Sequence, residues 1–419
     1  MNLSPSIIAD STLAAEGQRR IDWAARHMPL LEGIERRWRE EQPLKNLRVT
    51  LSIHLEAKTA RLALLLRQGG AQVAVTGSNP LSTQDAIAAA LTVHEGVGVY
   101  ALHGATAQQY EAHLIQALEH EPHIVIDDGG DLVALLHGDY RHLARHVIGG
   151  CEETTTGVTR LAARAKAGEL AFPMMNINDA QMKHLFDNRY GTGQSVWDAI
   201  LRTTNLSMAG RCVVVVGYGW CGKGVAMRAR GLGARVIVCE VDAVKAAEAL
   251  MDGYEAMPMA EAARLGELFI TVTGCRDVIR AEHFAVMRDG AIACNAGHFD
   301  VEVNLPELAG MAVRRYEARR NIEGFTMADG RTIFILAEGR LVNLAAGDGH
   351  PVEIMDLSFA LQALCAEHVA RNGAAMAPGV YAVPEDIDQG VARIKLASMG
   401  RAIDALTPEQ AAYLASWEA

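Results

Sequence analysis

The chain has no C-x-x-C pair, no internal repeat, no low-complexity tract and no apolar run near the roughly 18 residues of a membrane span. Its seven cysteines (Cys151, Cys212, Cys221, Cys239, Cys275, Cys294, Cys365) are scattered and odd in number. That speaks against a disulfide scaffold or a zinc ribbon and fits a reducing cytoplasm. There is no basic block either. Thirty-nine Lys plus Arg stand against fifty Asp plus Glu, a net charge of −11. Nucleic acid and anionic membranes are therefore poor partners, although local basic pockets for small anions stay open. Nucleophile elbow, P-loop and HExxH are all missing. The first twenty residues mix acidic and basic side chains, unlike a signal peptide.

What remains is a chain of 419 residues, half of them hydrophobic and 21% charged. It is long enough for two or three domains with a well-buried core, and too apolar for wholesale disorder. Residues 11–27 read as an amphipathic helix capped by Asp10 or Ser11 and stopped before Pro29. Segments 47–53, 71–76 and 123–128 read as strands, with a helix over 57–69 and a stop at Gly129 and Gly130. Apolar strands spaced by helix-length segments mean a parallel sheet covered on both faces. Near 150 the pattern breaks. Residues 151–157 look polar and turn-like, and 172–191 are rich in polar residues. A second alternation starts at 211, and from Pro351 the chain reads as mainly helical. The expected fold is α/β, with two Rossmann-like doubly wound domains, a cleft between them and a short C-terminal helical segment. The expected division is 1–190 for substrate, 191–348 for dinucleotide, 349–385 returning to the first domain, and 386–419 as a tail for oligomerisation.

The sharpest motif is Gly217-Tyr218-Gly219-Trp220-Cys221-Gly222, which follows the apolar run Val213–Val216 and opens a helix. Gly217 permits the tight turn, Gly219 lets backbone approach pyrophosphate, and Gly222 lets helix and strand pack closely. The helix N-terminus offers free N–H groups to phosphate. Glu240 ends the next strand at about the expected ~20 residues downstream. Its carboxylate accepts ribose hydroxyls and repels a 2′-phosphate, so NAD is favoured over NADP. A glycine turn that binds nothing is the bland alternative.

Polar residues collect where strands end: His54, Asp127, Asp128 and His298. Singly, each also reads as a loop, cap or Asx-turn residue. Lys183 and Asp187 are four apart, the spacing of an ordinary exposed ion pair on a helix. His142 and His146 share that spacing, but no adjacent carboxylate completes a set of metal ligands, so no metal is expected. These residues define an NAD-binding, two-lobed enzyme and leave its substrate open.

The same residues carry a family resemblance. Asn79-Pro80-Leu81-Ser82-Thr83-Gln84-Asp85, DDGGDL (127–132), EETTTGV (152–158), NxND before Lys183 and FDNxYG (176–191), GYGxxGKG (217–224), GHFDVE (297–302), AEGRLVNL (337–344) and GHP (349–351) stand in order along the chain. It resembles the S-adenosylhomocysteine hydrolases. The resemblance implies a redox-masked elimination, in which a ribose 3′-hydroxyl becomes a ketone that acidifies the C4′ proton. Homocysteine then leaves from C5′, water adds, and the ketone is reduced again. It places Lys183 and Asp187 at the 3′-hydroxyl, with the lysine pKa lowered by burial. It places His54 and Asp128 at C4′ and C5′, and His298 with Phe299 as a gate. Glu153 holds ribose hydroxyls, and Glu56, Lys58, Thr59, Asp348, His350 and Met355 complete the substrate set. For NAD it adds Thr154, Thr155, Thr156, Asn188 and Asn343. It also implies a nucleoside thioether as small-molecule substrate, hinged closure over it, and a homotetramer.

Four departures follow. The common family pattern His-x-Thr-x-Glu/Gln-Thr reads here His54-Leu55-Glu56-Ala57-Lys58-Thr59. In the usual pattern the carboxylate or amide accepts from the adenine 6-amino group and the Thr donates to N1. Lys58 has only donors and ionised Glu56 only acceptors, which inverts the code in the sense hypoxanthine needs. This version resembles a branch that includes S-inosylhomocysteine hydrolases. The alternative is that Glu56 and Lys58 pair with each other and adenine still binds. Asp348 stands where Met is usual, and Thr192 where Cys is common. The family's C-terminal extension toward a neighbour's NAD has no counterpart, so easier cofactor exchange is expected. Two rivals stand beside this: a 2-hydroxyacid dehydrogenase, and an inactive NAD-binding regulator.

Overall fold

β-Branched runs build the two sheets. The computed structural model describes residues 3–417, so the outermost residues of the first expected segment and of the tail lie outside it. The first six strands are β1 (Arg48–Ser52), β2 (Gln72–Thr76), β3 (Val97–Tyr100), β4 (Ile124–Asp127), β5 (Gly149–Glu152) and β6 (Pro173–Asn176). Eight more follow: β7 (Cys212–Val216), β8 (Arg235–Cys239), β9 (Glu255–Ala256), β10 (Leu268–Thr271), β11 (Ile292–Asn295), β12 (Ala312–Arg319), β13 (Ile322–Met327) and β14 (Thr332–Leu336). The last, β15 (Gly379–Ala382), returns to the first sheet.

The first sheet runs β15-β6-β5-β4-β1-β2-β3, and its paired strands are all parallel. The second runs β12-β13-β14-β11-β10-β7-β8-β9, parallel except for an antiparallel β12–β13–β14 edge. Both therefore repeat the 3-2-1-4-5-6 order of a doubly wound fold, and both contain a topological switch point. In the first sheet it lies between β1 and β4, and in the second between β7 and β10. His54 and Asp128 follow the first pair of strands; Gly217 and Val272 follow the second. Central strands are buried along their length, as strands covered on both faces must be.

The segment 151–157 corrects an expectation. Its first residues belong to β5, a central strand, and only from Thr155 does a helix begin. Gly149 and Gly150 hid the strand because they carry no β-branched signal. A Cβ on Gly150 would press within 2.6 Å of the Val125 side chain, so packing, not propensity, selects them. The segment from Pro351 is helical over Val352–Asn372 but also supplies β15. Asp10 does cap the first turn, through Thr12 N at 2.8 Å. Among the described residues, no helix is long and apolar enough to cross a membrane.

Candidate active site

A cleft of about 1720 Å³ opens between the carboxyl edges of the two sheets. That exceeds the roughly 300–1,000 Å³ of a single-ligand pocket and has room for a dinucleotide and a second molecule. Of the residues expected at the site, all but Gly222, Phe299 and Asp348 line it.

Gly217 has a positive φ of 106°, and a Cβ there would sit 2.9 Å from the Val272 carbonyl. Space beside Gly219 is open, as close backbone approach requires. A Cβ on Gly222 would collide with the Gly217 carbonyl, which is why it packs behind the cleft instead of lining it. The helix Trp220–Gly231 starts there with its N–H groups free for an anion. Glu240 fixes the turn by accepting from Tyr218 N (2.7 Å), Val241 N (2.7 Å) and Asp242 N (3.0 Å). Asn343 donates to Ser195 Oγ, while its buried Oδ1 has no partner. A glycine cradle, a ribose acceptor and an orphaned buried acceptor on one wall fit NAD.

Lys183 and Asp187 are not an exposed pair; both are buried. The turn His184–Gly191 is a π-helix, wider than an α-helix, so residues four and five positions after Lys183 both face it. Lys183 Nζ donates to Asn188 Oδ1 at 2.7 Å and lies 3.4 Å from Asp187 Oδ2 and 3.6 Å from Glu153 Oε1. Asp187 is held in turn by His350 Nδ1 (2.6 Å) and the Ser358 hydroxyl (2.6 Å). Burial opposes its charge, but Lys183 and His350 outweigh that and hold it well below the usual carboxylate range. The expectation of a lowered Lys183 pKa is corrected. Burial does pull it down, but Asp187 and Glu153 override burial and push it above the ordinary lysine value. Burial raises Glu153 to about 8 against the pull of Lys183. Gln362 Nε2 donates to its Oε2 at 2.6 Å, leaving Oε1 unpartnered.

Ser358 and Gln362 were missed from sequence. Their signal is a register: Met355, Ser358, Phe359 and Gln362 follow i, i+3, i+4, i+7 on one helix, so a face that packs inward carries two polar residues.

At the other switch point, the Ser82 hydroxyl donates to Asn79 O (2.9 Å) and sits 2.6 Å from His54 Nδ1. His54 Nε2 faces Asp128 Oδ2 at 3.5 Å. Burial pushes His54 down to about 4 despite the Asp128 charge. Ser78 donates to Asp128 Oδ2 at 3.0 Å. One donor atom from each of His54, Asp128 and His298 lies within 4.8 Å of the others. Behind them, Glu152 Oε1 ties the Gly129 and Thr154 amides together, at 2.9 and 3.0 Å.

Glu56 caps the helix Ala57–Gln68, accepting from Lys58 N (3.0 Å) and Thr59 N (3.3 Å). Lys58 Nζ reaches Glu56 Oε2 and the Asp348 carbonyl, each at 3.1 Å. Thr59 donates its hydroxyl to His54 O at 2.6 Å, which shapes the loop under the histidine. The Asp348 side chain turns away to Arg202 and is exposed, so only its carbonyl touches this corner.

A family model described as S-adenosyl-L-homocysteine hydrolase matches residues 5–141, and one for the NAD binding domain of that family matches residues 188–349. The chain is 55% identical to an adenosylhomocysteinase of Thermococcus kodakarensis, over 98% of this chain and 97% of that protein. It is 54% identical to an S-inosyl-L-homocysteine hydrolase of Methanopyrus kandleri, with the same coverage. An adenosylhomocysteinase of Gloeothece citriformis is 53% identical, over 98% and 96%. The chain belongs to the S-adenosyl-L-homocysteine hydrolase family, NAD-binding enzymes that hydrolyse the thioether bond of a nucleosyl-homocysteine.

Proposed function

We propose that the preferred substrate is S-inosyl-L-homocysteine, cleaved reversibly to L-homocysteine and inosine through a 3′-keto intermediate. The supporting observation is the Lys58 ammonium, 7% exposed at the cleft wall. Two of its three N–H groups go to Glu56 and the Asp348 carbonyl, and one is left for an acceptor on the ligand. In the family pattern this position meets the purine C6 substituent. A hypoxanthine carbonyl accepts there, and its N1–H meets the Glu56 carboxylate. An adenine amino group would set donor against donor, a mismatch of about 1–3 kcal/mol. Parallel kcat/KM measurements on the two thioethers test this; equal values or an adenosyl advantage end it.

A second reading has its own observation. Glu56 is already committed as a helix cap and as partner of Lys58, so the pair is satisfied without a base. Adenine would then be read by other groups, and the adenosyl thioether would be the better substrate in the same assay.

Either base leaves the sugar chemistry unchanged. Bound NAD supplies a hydride acceptor and donor for the 3′-carbon. Lys183 and Asp187 handle the proton of the 3′-oxygen. Lys183 must first shed its own proton, and Glu153, 3.6 Å away and raised to about 8, takes it in its ionised form. Glu153 Oε1, which accepts no hydrogen bond within the protein, is left to accept from the ribose hydroxyls. His54, neutral because burial lowers it to about 4, and Asp128 move protons at C4′ and C5′. Closure of the two lobes keeps water from the ketone.

A further inference from the structure

We propose that Arg160 is a latch that pins the His298–Phe299 segment across the mouth of the cleft. The segment follows β11 and so belongs to the second sheet, whereas Arg160 lies on the helix Thr155–Lys166 of the first. Arg160 Nη1 donates to the Gly129 carbonyl and to Asp131 Oδ1, both at 2.8 Å, which fixes the guanidinium against the loop carrying Asp128. From there its central carbon stands 5.1 Å from the centroid of the Phe299 ring. Phe299 meets His298 edge to face, at 4.7 Å and 84°. His298 in turn reaches the His54 ring at 5.9 Å.

The seat for His298 is cut by Gly129. Its φ is +110°, and a Cβ there would come within 2.8 Å of His298 Nε2. On its own side the segment is tied down by Asn295 Nδ2, which donates to the Phe299 carbonyl at 2.8 Å. Its outer end, Asp300 and Val301, is exposed. Beside the approach of His298 to His54 and Gly129, the contact that holds Phe299 across from sheet to sheet is Arg160. Arg160 touches none of the reacting atoms. It is a positioning residue, acting through Phe299 on His298 and on access to the C5′ side.

The latch rests on the thioether reaction and not on the base preference, so either nucleoside that turns over serves as probe. Holoenzyme is assayed in the synthetic direction with nucleoside and homocysteine. Arg160→Ala should raise KM for homocysteine roughly two- to fivefold, the value of a partly exposed cation–π contact. It should also speed the build-up of reduced nicotinamide during turnover, because an unlatched mouth loses the keto nucleoside. Arg160→Lys, which keeps a cation near the ring, should sit between. Phe299→Leu should reproduce Arg160→Ala, and the double variant should be no worse than the poorer single. Unchanged KM and nicotinamide build-up in Arg160→Ala overturn the latch, and so do effects of the two singles that multiply. If Arg160→Ala does not fold, Phe299→Leu and Arg160→Lys decide by the same criteria. Failure of the wild type to reduce its nicotinamide on mixing with either nucleoside would instead count against the reaction itself.

Discussion

Replacing Lys183 by Met removes an ammonium that is 7% exposed and sits between three partners. Breaking a buried ion pair typically costs about 3–5 kcal/mol, because the surviving charge is stranded. Here the survivors are not stranded. Asp187 keeps His350 and Ser358, each at 2.6 Å, and Glu153 keeps Gln362. Glu153, already raised to about 8 with Lys183 present, protonates more readily without it. The stability loss should therefore fall to about 1–3 kcal/mol, an upward-bounded drop of several degrees in Tm. Loss of a positioned acid–base group costs about 10²–10⁴ in rate. The assay is rapid mixing of holoenzyme with nucleoside, following reduction of the bound nicotinamide, beside a thermal melt and a count of bound NAD. Normal NAD content with reduction slowed by that factor is the expected result. Reduction at the wild-type rate refutes the role given to Lys183. Slowing explained entirely by lost NAD would make it a cofactor-binding residue.

Three other perturbations address separate parts of the molecule. The double change Glu56→Thr with Lys58→Gln should move the kcat/KM ratio toward the adenosyl thioether by about tenfold or more; an unmoved ratio means these positions do not read the base. Gly222→Ala should cut retained NAD sharply, because its Cβ collides with the Gly217 carbonyl, while the first sheet stays folded; full NAD content after gel filtration would contradict the packing argument. His120 is buried beside Thr50 Oγ1 (2.7 Å), and burial lowers it from 6.5 to about 3. The unfolded chain binds the proton that the folded chain refuses, so stability is lost as pH falls from 6.5 toward 3. At about pH 5 the loss from this group is about 2 kcal/mol. Urea midpoints across that range should fall less steeply in His120→Asn than in the wild type; an equal or steeper fall rejects the assignment.

The parts legible in the sequence are those where local chemistry and tertiary structure agree. Val213–Val216, the three spaced glycines and Glu240 each carry their own reason, so the dinucleotide cradle could be read position by position. The strands at Val49–Leu51 and Val73–Val75 likewise announce themselves by β-branched runs. Strand β5 could not be read this way. Gly149-Gly150-Cys151-Glu152 has the propensity of a turn, and only the closeness of Val125 and Met174 explains why small residues fill a central strand. Ser358 and Gln362 were invisible for a related reason: inside an apolar helix a polar residue reads as an interruption until its partner is known.

The charge of Lys183 shows where such reading stops. Burial alone argues for a neutral lysine, and that argument is sound for a group surrounded by apolar side chains. The outcome depends on how many carboxylates share the burial, and that depends on the π-turn. In a regular helix, residue 188 would point well away from residue 183; widening the turn brings Asn188 onto Nζ while Asp187 stays in range. Glu153 arrives from a different strand end, with β5 setting its distance. A lysine so placed starts as an ammonium and must lose a proton before it can accept one from a sugar hydroxyl. The carboxyl of Glu153, raised to about 8, is the matched acceptor once ionised, so Glu153→Gln should slow reduction of bound nicotinamide most above about pH 8 and least below it, where the wild-type carboxyl already holds its proton. The wild-type and variant pH–rate profiles check this; parallel profiles would remove Glu153 from the proton path and leave it as a ribose ligand only.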